Sequence, residues 1–260
     1  MTASLQRSTK IVATLGPASS SPERMLALVA AGVDVVRINF SHGTADDHRQ
    51  RVDALRAAAH DAGRTVGVMA DLQGPKIRIG KFAAGPVQIK ANQEFILDAA
   101  CTLGDEGRVG LDYPDLVKDV RAGDVLLLDD GRTVFDVLKV QGKEILCRNR
   151  HDGELSNNKG INKQGGGLTA PALTAKDMED IRTAASIGTD YVAVSFPKSG
   201  DDMRLARALL TAAGSNALLV AKIERVEAIE NLNNILEATD GVMVARGDLA
   251  VEVGDAAVPA

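Results

Sequence analysis

Residues 217–249, ALLVAKIERVEAIENLNNILEATDGVMVARGDL, contain the clearest structural pattern in this sequence. Two short apolar runs, 218–223 and 242–245, flank a segment whose apolar residues recur at helical spacing. This pattern predicts a strand, a helix and a second strand. Strands joined by a helical crossover pair in parallel, so we expect both strands to end at the same edge of one sheet.

Charged residues follow both predicted strands. Lys222 and Glu224 are two positions apart and therefore project from one face of a strand, and Asp248 follows the second strand. Two carboxylates at neighbouring strand ends repel each other unless a cation lies between them, and Mg²⁺ suits such a pair. The N–H groups of Gly247 and Asp248, where the chain turns into a helix, suit an anion. The alternative is a Lys222–Glu224 salt bridge, with Asp248 as a helix cap.

The composition is that of a soluble globular protein. Among 260 residues, 45% are hydrophobic and 25% charged, and no apolar run approaches the ~20 residues that span a bilayer. A net charge of −5 and 3% aromatic residues give no indication of nucleic-acid binding. The start of the chain lacks the apolar core of a signal peptide, and the two cysteines are expected to be free thiols in a reducing cytoplasm. We therefore predict a cytoplasmic protein that binds neither nucleic acid nor membrane.

Strands and helices alternate over most of the chain, which predicts a parallel α/β architecture. Ser21 and Pro22 are typical of a helix start, and Gly32 of a helix end. We predict helices at 22–31, 44–62, 174–187 and 201–213, with a further helix between the last two strands. We predict six parallel strands, at 10–15, 33–40, 66–72, 191–196, 218–223 and 242–245.

The pattern changes between residues 74 and 169. Alternating apolar and polar segments are separated by turn pairs, namely Asp130-Gly131, Gln141-Gly142 and Asp152-Gly153. These features predict a small antiparallel β-barrel domain inserted after the third strand. The predicted domains are a first barrel segment at 1–73, the inserted domain at 74–169, and a continued barrel segment at 170–260.

Three stretches carry a family resemblance. LLVAKIERVEAIENL followed by GVMVARGDLAVE closely resembles pyruvate kinase, and VVRINFSHG and ADLQGPKIRIG resemble two further signatures of that family. The resemblance covers the whole chain and implies a (β/α)₈ TIM-type barrel, of which about six strand–helix units are present. A barrel needs eight strands, so we expect an incomplete barrel and an amino-terminal piece of a longer chain. The family's C-terminal domain would be missing, and the full-length protein would be a homotetramer.

The resemblance implies transfer of a phosphoryl group from phosphoenolpyruvate to ADP, giving pyruvate and ATP. Lys222 would lie against the transferring phosphoryl group and the developing enolate oxygen. Glu224 and Asp248 would bind Mg²⁺ or Mn²⁺, and the N–H groups of Gly247 and Asp248 would hold the substrate carboxylate.

The resemblance also implies phosphate and nucleotide contacts for Arg37 and for residues of the inserted domain, which resembles the family's mobile lid. Arg37 and Arg78 would contact phosphate in catalysis, with Arg37 also serving substrate and nucleotide binding. His42 and Lys159 would lie near the nucleotide, and Asp130 would face the cleft. For His42, a solvated loop histidine is the alternative, and Asp130 is first of all a hairpin-turn residue.

The resemblance also implies a K⁺ site. Its ligands would be Asn39, Ser41, Asp71 and the carbonyl of Leu72. However, Lys76 stands where K⁺-dependent members have glutamate, and a side-chain ammonium could supply the missing positive charge. Our hypothesis is therefore that the K⁺ requirement is weakened or lost.

Two alternative functions follow from the same residues. One is a lyase or aldolase of the wider phosphoenolpyruvate/pyruvate barrels, which also place Mg²⁺ on strand-end carboxylates. The other is a catalytically inactive pyruvate kinase fragment that pairs its open sheet edges with another copy.

Overall fold

A computed structural model describes residues 8–259, except the side chain of Asp255. The predicted absence of a signal peptide falls largely on residues 1–7, which lie outside the described residues. The first part of the chain alternates strands and helices. The elements are β1 (Val12–Leu15), α1 (Pro22–Ala30), β2 (Val35–Asn39), α2 (Ala45–Asp61) and β3 (Gly67–Asp71), with a 3₁₀ turn at Pro17–Ser19.

The first helices begin as the sequence predicts. Ser21 is the N-cap of α1 and accepts a hydrogen bond from the N–H of Arg24. Thr44 and Asp47 form a capping box at the start of α2. Such caps satisfy backbone N–H groups that have no partner within the helix.

A β-rich region follows β3. Its strands are β4 (Lys81–Phe82), β5 (Val87–Ile89), β6 (Glu94–Asp98), β7 (Leu103–Gly104), β8 (Arg108–Gly110), β9 (Val125–Leu128), β10 (Thr133–Gln141), β11 (Glu144–Asn149), β12 (Gly153–Leu155) and β13 (Ile161–Lys163), with one short helix, α3 (Leu116–Asp119). Six strands form a sheet in the order β13-β9-β10-β11-β6-β8, and β12-β5 and β4-β7 form two-stranded pairs.

This region is mainly but not wholly antiparallel. The predicted turns at Asp130-Gly131 and Gln141-Gly142 join antiparallel neighbours. The pairs β6–β8 and β4–β7 are parallel, so the prediction of an antiparallel domain was wrong for these strands. The backbone at Gly110 of β8 lies close to the segment after β6, since a Cβ on Gly110 would lie 2.2 Å from the Cys101 carbonyl oxygen. A pattern of alternating residues cannot specify parallel pairing, because it fixes only which face of the sheet each side chain takes.

Alternation of helix and strand resumes after the β-rich region. The elements are α4 (Ala175–Ile187), β14 (Tyr191–Val194), α5 (Gly200–Ala212), β15 (Leu218–Ile223), α6 (Val226–Glu230), α7 (Leu232–Ala238), β16 (Gly241–Val244) and α8 (Arg246–Val253), followed by a 3₁₀ turn at Asp255–Ala257. One helix was predicted between β15 and β16, and two are present. Asn231 is the C-cap of α6: its backbone N–H and its side-chain amide both donate to the Glu227 carbonyl oxygen at 3.0 Å, and its φ of −102° and ψ of 18° end the regular helix there.

Six strands form the main sheet, in the order β1-β2-β3-β14-β15-β16. The neighbours from β1 to β15 pair in parallel, and each has a helix between it and the next main-sheet strand. The predicted parallel α/β architecture is confirmed. Because a closed (β/α)₈ barrel has eight strands, the sheet of the described residues is an incomplete one with β1 and β16 at its edges. Val12, Val242 and Val244 on these edges are 42–56% exposed.

Contacts divide the described chain into two compact units. The first unit contains the described residues up to Gly74, together with Ala172–Lys222 and Leu232–Met243. The second unit contains Pro75–Pro171, Ile223–Asn231 and the described residues from Val244 onward. The three domain segments with boundaries at 73/74 and 169/170 stay a prediction.

Each unit has a hydrophobic core. In the first unit, Met69, Ala193 and Val220 of three neighbouring strands are buried together. In the second unit, the core includes Phe95 and Phe135, whose ring centroids are 5.5 Å apart. Both phenylalanines are fully buried. The strands that carry the site residues described below therefore rest on packed side chains.

The linker that returns from the β-rich region, residues 164–171, lies against α6 and α8 within the second unit. Gly165, Gly166 and Gly167 all have positive φ, between 76° and 87°. A carboxylate oxygen of Glu227 accepts a hydrogen bond from the N–H of Gly167. A Cβ on Gly166 would lie 2.9 Å from that oxygen, so only glycine fits there without displacement. The buried Glu252 accepts from the N–H of Val226 at 3.1 Å.

Candidate active site

The first unit places two cationic side chains on one buried carboxylate. Nε of Arg37 donates to Oδ2 of Asp71 at 2.6 Å, and Nζ of Lys222 lies 3.3 Å from Oδ1 of the same residue. A second guanidinium nitrogen of Arg37 also pairs with Asp71. The side chain of Asp71 is 2% exposed, against 28% for Arg37 and 11% for Lys222. The three groups carry a net charge of +1, so together they attract an anion.

Strand register explains why these residues meet. Asn39 of β2 is the register partner of Asp71 in β3, and Asp71 is in turn the partner of Ala193 in β14. Arg37 is the partner of Thr14 in β1, and its guanidinium donates to the Thr14 hydroxyl at 3.0 Å. Polar residues near the carboxyl ends of several parallel strands are thereby brought to one edge of the sheet, the usual place for a site in such folds.

A buried serine also contacts Lys222. Ser195 follows the end of β14 and is 2% exposed. Its hydroxyl accepts from Nζ of Lys222 at 2.8 Å and donates to the Leu72 carbonyl oxygen at 2.7 Å. Lys222 therefore has both a charged and a neutral oxygen within reach in the first unit.

The four residues predicted to bind K⁺ all lie in the first unit, where protein groups already hold most of their oxygen atoms. Oδ1 of Asn39 accepts from the N–H of Ser41 at 2.9 Å. Asp71 pairs with two cations, as described above, and the carbonyl of Leu72 accepts from Ser195. Each of these oxygens keeps a further lone pair, and Oδ1 of Asp71 accepts no hydrogen bond among the described residues, so the K⁺ assignment stays a prediction.

The second unit contains the two carboxylates predicted to bind a divalent ion. Glu224 directly follows β15 and is fully buried. Asp248 lies in the first turn of α8, three residues beyond Ala245. The N–H of Ala245 donates to the Ile223 carbonyl oxygen at 3.3 Å, which brings the ends of β15 and β16 side by side.

The N-terminal turn of α8 presents backbone donors. The helix begins at Arg246, and the first helical hydrogen bond of the turn runs from Leu249 N–H to the Ala245 carbonyl at 3.1 Å. Gly247 and Asp248 precede Leu249, so their N–H groups belong to the turn that has no acceptor within the helix. A helix start of this kind suits an anion, and the anion site at these two residues stays a prediction.

A cavity of about 1020 Å³ lies in the second unit beside this helix start. The first turn of α8 lines it together with Lys76, Asp130 and Gly131. Nζ of Lys76 is 3.9 Å from Oδ1 of Asp248, an ion pair that is longer than a hydrogen bond. The cavity wall therefore combines ammonium, carboxylate and helix N–H groups.

The remaining predicted residues occupy different places. Arg78 donates to the Asn158 carbonyl oxygen at 3.1 Å within the second unit. Lys159 pairs with Asp129, Nζ to Oδ1 2.7 Å. His42 is exposed in the turn after β2 in the first unit. Their predicted contacts with phosphate or nucleotide stay predictions.

No group of three or more His, Cys, Asp or Glu side chains that could hold a metal ion is present among residues 8–259. A Mg²⁺ site needs fewer protein ligands than that, because water and substrate oxygens complete the coordination. None of the helices within the same residues is long and apolar enough to cross a bilayer.

Comparison with known proteins gives the family. A family model described as "Pyruvate kinase, barrel domain" matches residues 6–260. The chain belongs to the pyruvate kinase family. It is 52% identical to pyruvate kinase II of Salmonella typhimurium and 50% identical to the pyruvate kinase of Haemophilus influenzae. Each of these alignments spans 254 residues, which are 96% of this chain and 53% of the relative. It is 44% identical to the pyruvate kinase of Mycobacterium intracellulare over 255 residues, which are 98% of this chain and 54% of that relative.

The family resemblance predicted from the sequence is thus confirmed. The chain spans about half the length of the curated relatives it matches.

Two features of this pyruvate kinase family chain were missed by sequence reasoning. Ser195 was not singled out, and the pairing of Asp71 with Arg37 and Lys222 was not predicted, while the K⁺ assignment of Asp71 stays a prediction. The sequence did contain a signal for Ser195, because it is a polar residue directly after a buried strand. Asp71 and Lys222 have the same kind of position, at the end of β3 and near the end of β15. The partners of Asp71 could not be read from spacing, since several cations in the sequence compete for one carboxylate.

Proposed function

We propose that the protein containing this chain is a pyruvate kinase that transfers the phosphoryl group of phosphoenolpyruvate to ADP, giving pyruvate and ATP. Family membership supports the proposal, and the single observation that carries it is the pairing of Arg37 and Lys222 on Asp71. Phosphoryl transfer requires mainly positioning and charge stabilisation, and two fixed cations supply both.

In the first unit, we assign binding of phosphoryl oxygens to Arg37 and Lys222. The buried carboxylate of Asp71 pairs with both side chains, and the three groups together carry a formal net charge of +1, which suits a phosphoryl group. Lys222 would also stabilise negative charge on the enolate oxygen as the phosphoryl group leaves. Arg37 presents planar N–H donors that suit phosphate geometry.

In the second unit, we assign carboxylate binding to the N–H groups of Gly247 and Asp248, because a helix N-terminus favours anions. Glu224 and Asp248 would hold Mg²⁺ or Mn²⁺. Their fit rests on the chemistry of two carboxylates that follow adjacent strand ends. The ion, when bound, neutralises negative charge on phosphoryl oxygens.

Nucleotide binding is assigned to Arg37, His42 and Lys159, with Arg78 contacting phosphate. Because Lys159 pairs with Asp129 in this structure, its ammonium would exchange that carboxylate for a nucleotide phosphate. Such an exchange gives Lys159 a new anionic partner, and Asp129 keeps its longer ion pair with Arg132 at 3.9 Å.

We further propose that catalysis does not require K⁺. The oxygen atoms of Asn39, Asp71 and Leu72 already accept hydrogen bonds or ion pairs from protein groups. Activity measured with tetramethylammonium as the only monovalent cation should be within about twofold of activity in K⁺. A strong activation by added K⁺ would contradict this part of the proposal. A cytoplasmic location and a homotetramer stay predictions.

The proposed reaction is tested by supplying phosphoenolpyruvate, ADP and Mg²⁺ and measuring pyruvate. We would assay the chain itself and a chimera in which the chain is joined to the remaining part of the Haemophilus influenzae relative. Lys222→Met should lower kcat at least ~100-fold, because a preorganised charge near the transferring group is lost. Lys139→Met, at an exposed lysine of the second unit, is the matched control and should leave kcat unchanged.

Two results would contradict the proposed function. One is turnover of a 2-keto acid without ADP, which would indicate a lyase. The other is a folded chimera that forms no pyruvate, which would leave the inactive alternative.

A further inference from the structure

We propose that Ser195 is a positioning residue for Lys222, which it holds as a neutral hydrogen-bond acceptor. The inference rests on the proposed function, in which Lys222 binds the transferring phosphoryl group. Ser195 itself was assigned no role by the sequence patterns.

The direction of the Ser195 hydroxyl follows from its two partners. A hydroxyl has one proton and two lone pairs. Ser195 donates that proton to the Leu72 carbonyl oxygen at 2.7 Å, because a carbonyl can only accept. Its lone pairs therefore face the ammonium of Lys222, which donates at 2.8 Å. The carbonyl thus fixes the orientation of the hydroxyl, and the hydroxyl fixes the ammonium.

The backbone around Ser195 holds the hydroxyl in place. Phe196 has φ +56°, a left-handed conformation that is rare for a residue with a large side chain. Gly74 packs directly against this turn, since a Cβ on Gly74 would lie 2.9 Å from Cβ of Ser195 and 3.0 Å from its carbonyl oxygen. The N–H of Gly74 is fixed in turn by the buried carboxylate of Asp177 at 3.0 Å. A strained turn that close packing maintains is typical of functional sites.

The charge of the acceptor matters for Lys222. The contact with Ser195 is shorter than the ion pair with Asp71, 2.8 Å against 3.3 Å. A neutral acceptor orients the ammonium without cancelling its charge. Asp71 also pairs with Arg37, so Lys222 shares this carboxylate with a second cation. Without the hydroxyl, the ammonium would move toward Oδ1 of Asp71 and away from its position for phosphoryl binding.

The first test measures the position of Lys222 without relying on catalysis. The chain and its Ser195→Ala variant are labelled with trinitrobenzenesulfonate at fixed pH, and the rate at Lys222 is followed by peptide mass spectrometry. We expect the rate to change at least threefold in Ser195→Ala. Ser186→Ala is the matched control, because Ser186 also donates to a backbone carbonyl in the first unit but lies exposed at the end of α4. An unchanged Lys222 rate in a Ser195→Ala chain with a native circular dichroism spectrum would overturn the inference.

The second test separates positioning from a merely structural role. In the chimera described above, Ser195→Ala should lower kcat by 10- to 100-fold while KM for phosphoenolpyruvate changes less than threefold, since a small displacement of a catalytic group has effects of this size. Ser195→Thr retains the hydroxyl and should recover most of kcat. If the threonine methyl disturbs the fold, Ser195→Cys replaces it in the comparison with Ser195→Ala, because a thiol is a weaker hydrogen-bonding group than a hydroxyl.

The outcomes of the two tests remain distinguishable. A folded Ser195→Ala chimera with unchanged kcat would overturn the positioning role. If the chimera without substitutions forms no pyruvate, the proposed function fails, whereas the labelling rate still decides whether Ser195 positions Lys222.

Discussion

Replacement of Glu252 by glutamine should remove a pH-dependent loss of stability from the second unit. Burial raises the pKa of Glu252 from 4.5 to about 7, against the opposing effects of the Val226 N–H group and the charge of Arg225. Glu227 lies on α6 and opposes ionisation as a like charge, and Asn162 of β13 donates to the carboxylate. These are the charged and polar groups that face Glu252 from the elements around it.

The sign of the effect follows from proton binding. Between pH 4.5 and 7, the folded chain keeps a proton on Glu252 that the unfolded chain has released. The free energy of unfolding therefore falls as pH rises through this range and then levels off. A difference of 2.5 pKa units (7 − 4.5) at 1.36 kcal/mol per unit corresponds to about 3 kcal/mol. Glu252→Gln has no proton to lose, so it should exceed the unsubstituted chain in stability by up to about 3 kcal/mol at pH 8 and by little at pH 4.5.

Urea unfolding followed by circular dichroism at pH 5 and pH 8 measures this difference. Glu230→Gln, at an exposed glutamate of α6 in the same unit, is the matched control. If the change in stability between the two pH values is the same in the Glu252→Gln variant as in the unsubstituted chain, the argument is refuted. A carboxyl titration of Glu252 by NMR with a midpoint below about 5.5 would refute it as well.

Three further predictions concern the linker, the thiols and the core. Gly165→Ala and Gly166→Ala should each lower the free energy of unfolding by about 1–2 kcal/mol, because alanine disfavours a left-handed backbone. Gly166→Ala should lower it by a further ~1–3 kcal/mol, because only the Cβ at position 166 would clash with a carboxylate. Urea unfolding measures both losses, and equal losses would contradict the clash. Burial raises the pKa of Cys147 to about 12 and also raises the pKa of Cys101, which is less buried. Iodoacetamide at pH 8 should therefore label Cys101 faster than Cys147, as measured by mass spectrometry. Faster labelling of Cys147 in the native chain would contradict its burial. Phe135→Ala should destabilise the second unit by about 3–5 kcal/mol in the same unfolding assay, and a loss below 1 kcal/mol would mean that the ring is not part of a packed core.

Sequence patterns predicted the elements of the main sheet because those elements depend on local rules. Apolar runs and helical periods located all six strands of the main sheet, and Ser21 with Pro22 located the start of α1. The break at Asn231 escaped prediction, because the apolar spacing on both sides continues a helical period. The parallel pairs in the β-rich region escaped for a different reason, since pairing direction depends on how distant segments meet.

The sequence alone determined the chemical inventory of this protein: a lysine, an arginine and three acidic residues near the ends of parallel strands, in motifs that identify the pyruvate kinase family. Spacing along one strand fixes which face a side chain takes, so it could nominate Arg37, Asp71 and Lys222 separately. Only the tertiary structure decided that Asp71 takes both cations and that Ser195 holds Lys222. Those contacts join β2, β3, β14 and β15, which are up to 185 positions apart in sequence (222 − 37), and strand register, not local pattern, sets the distances among them.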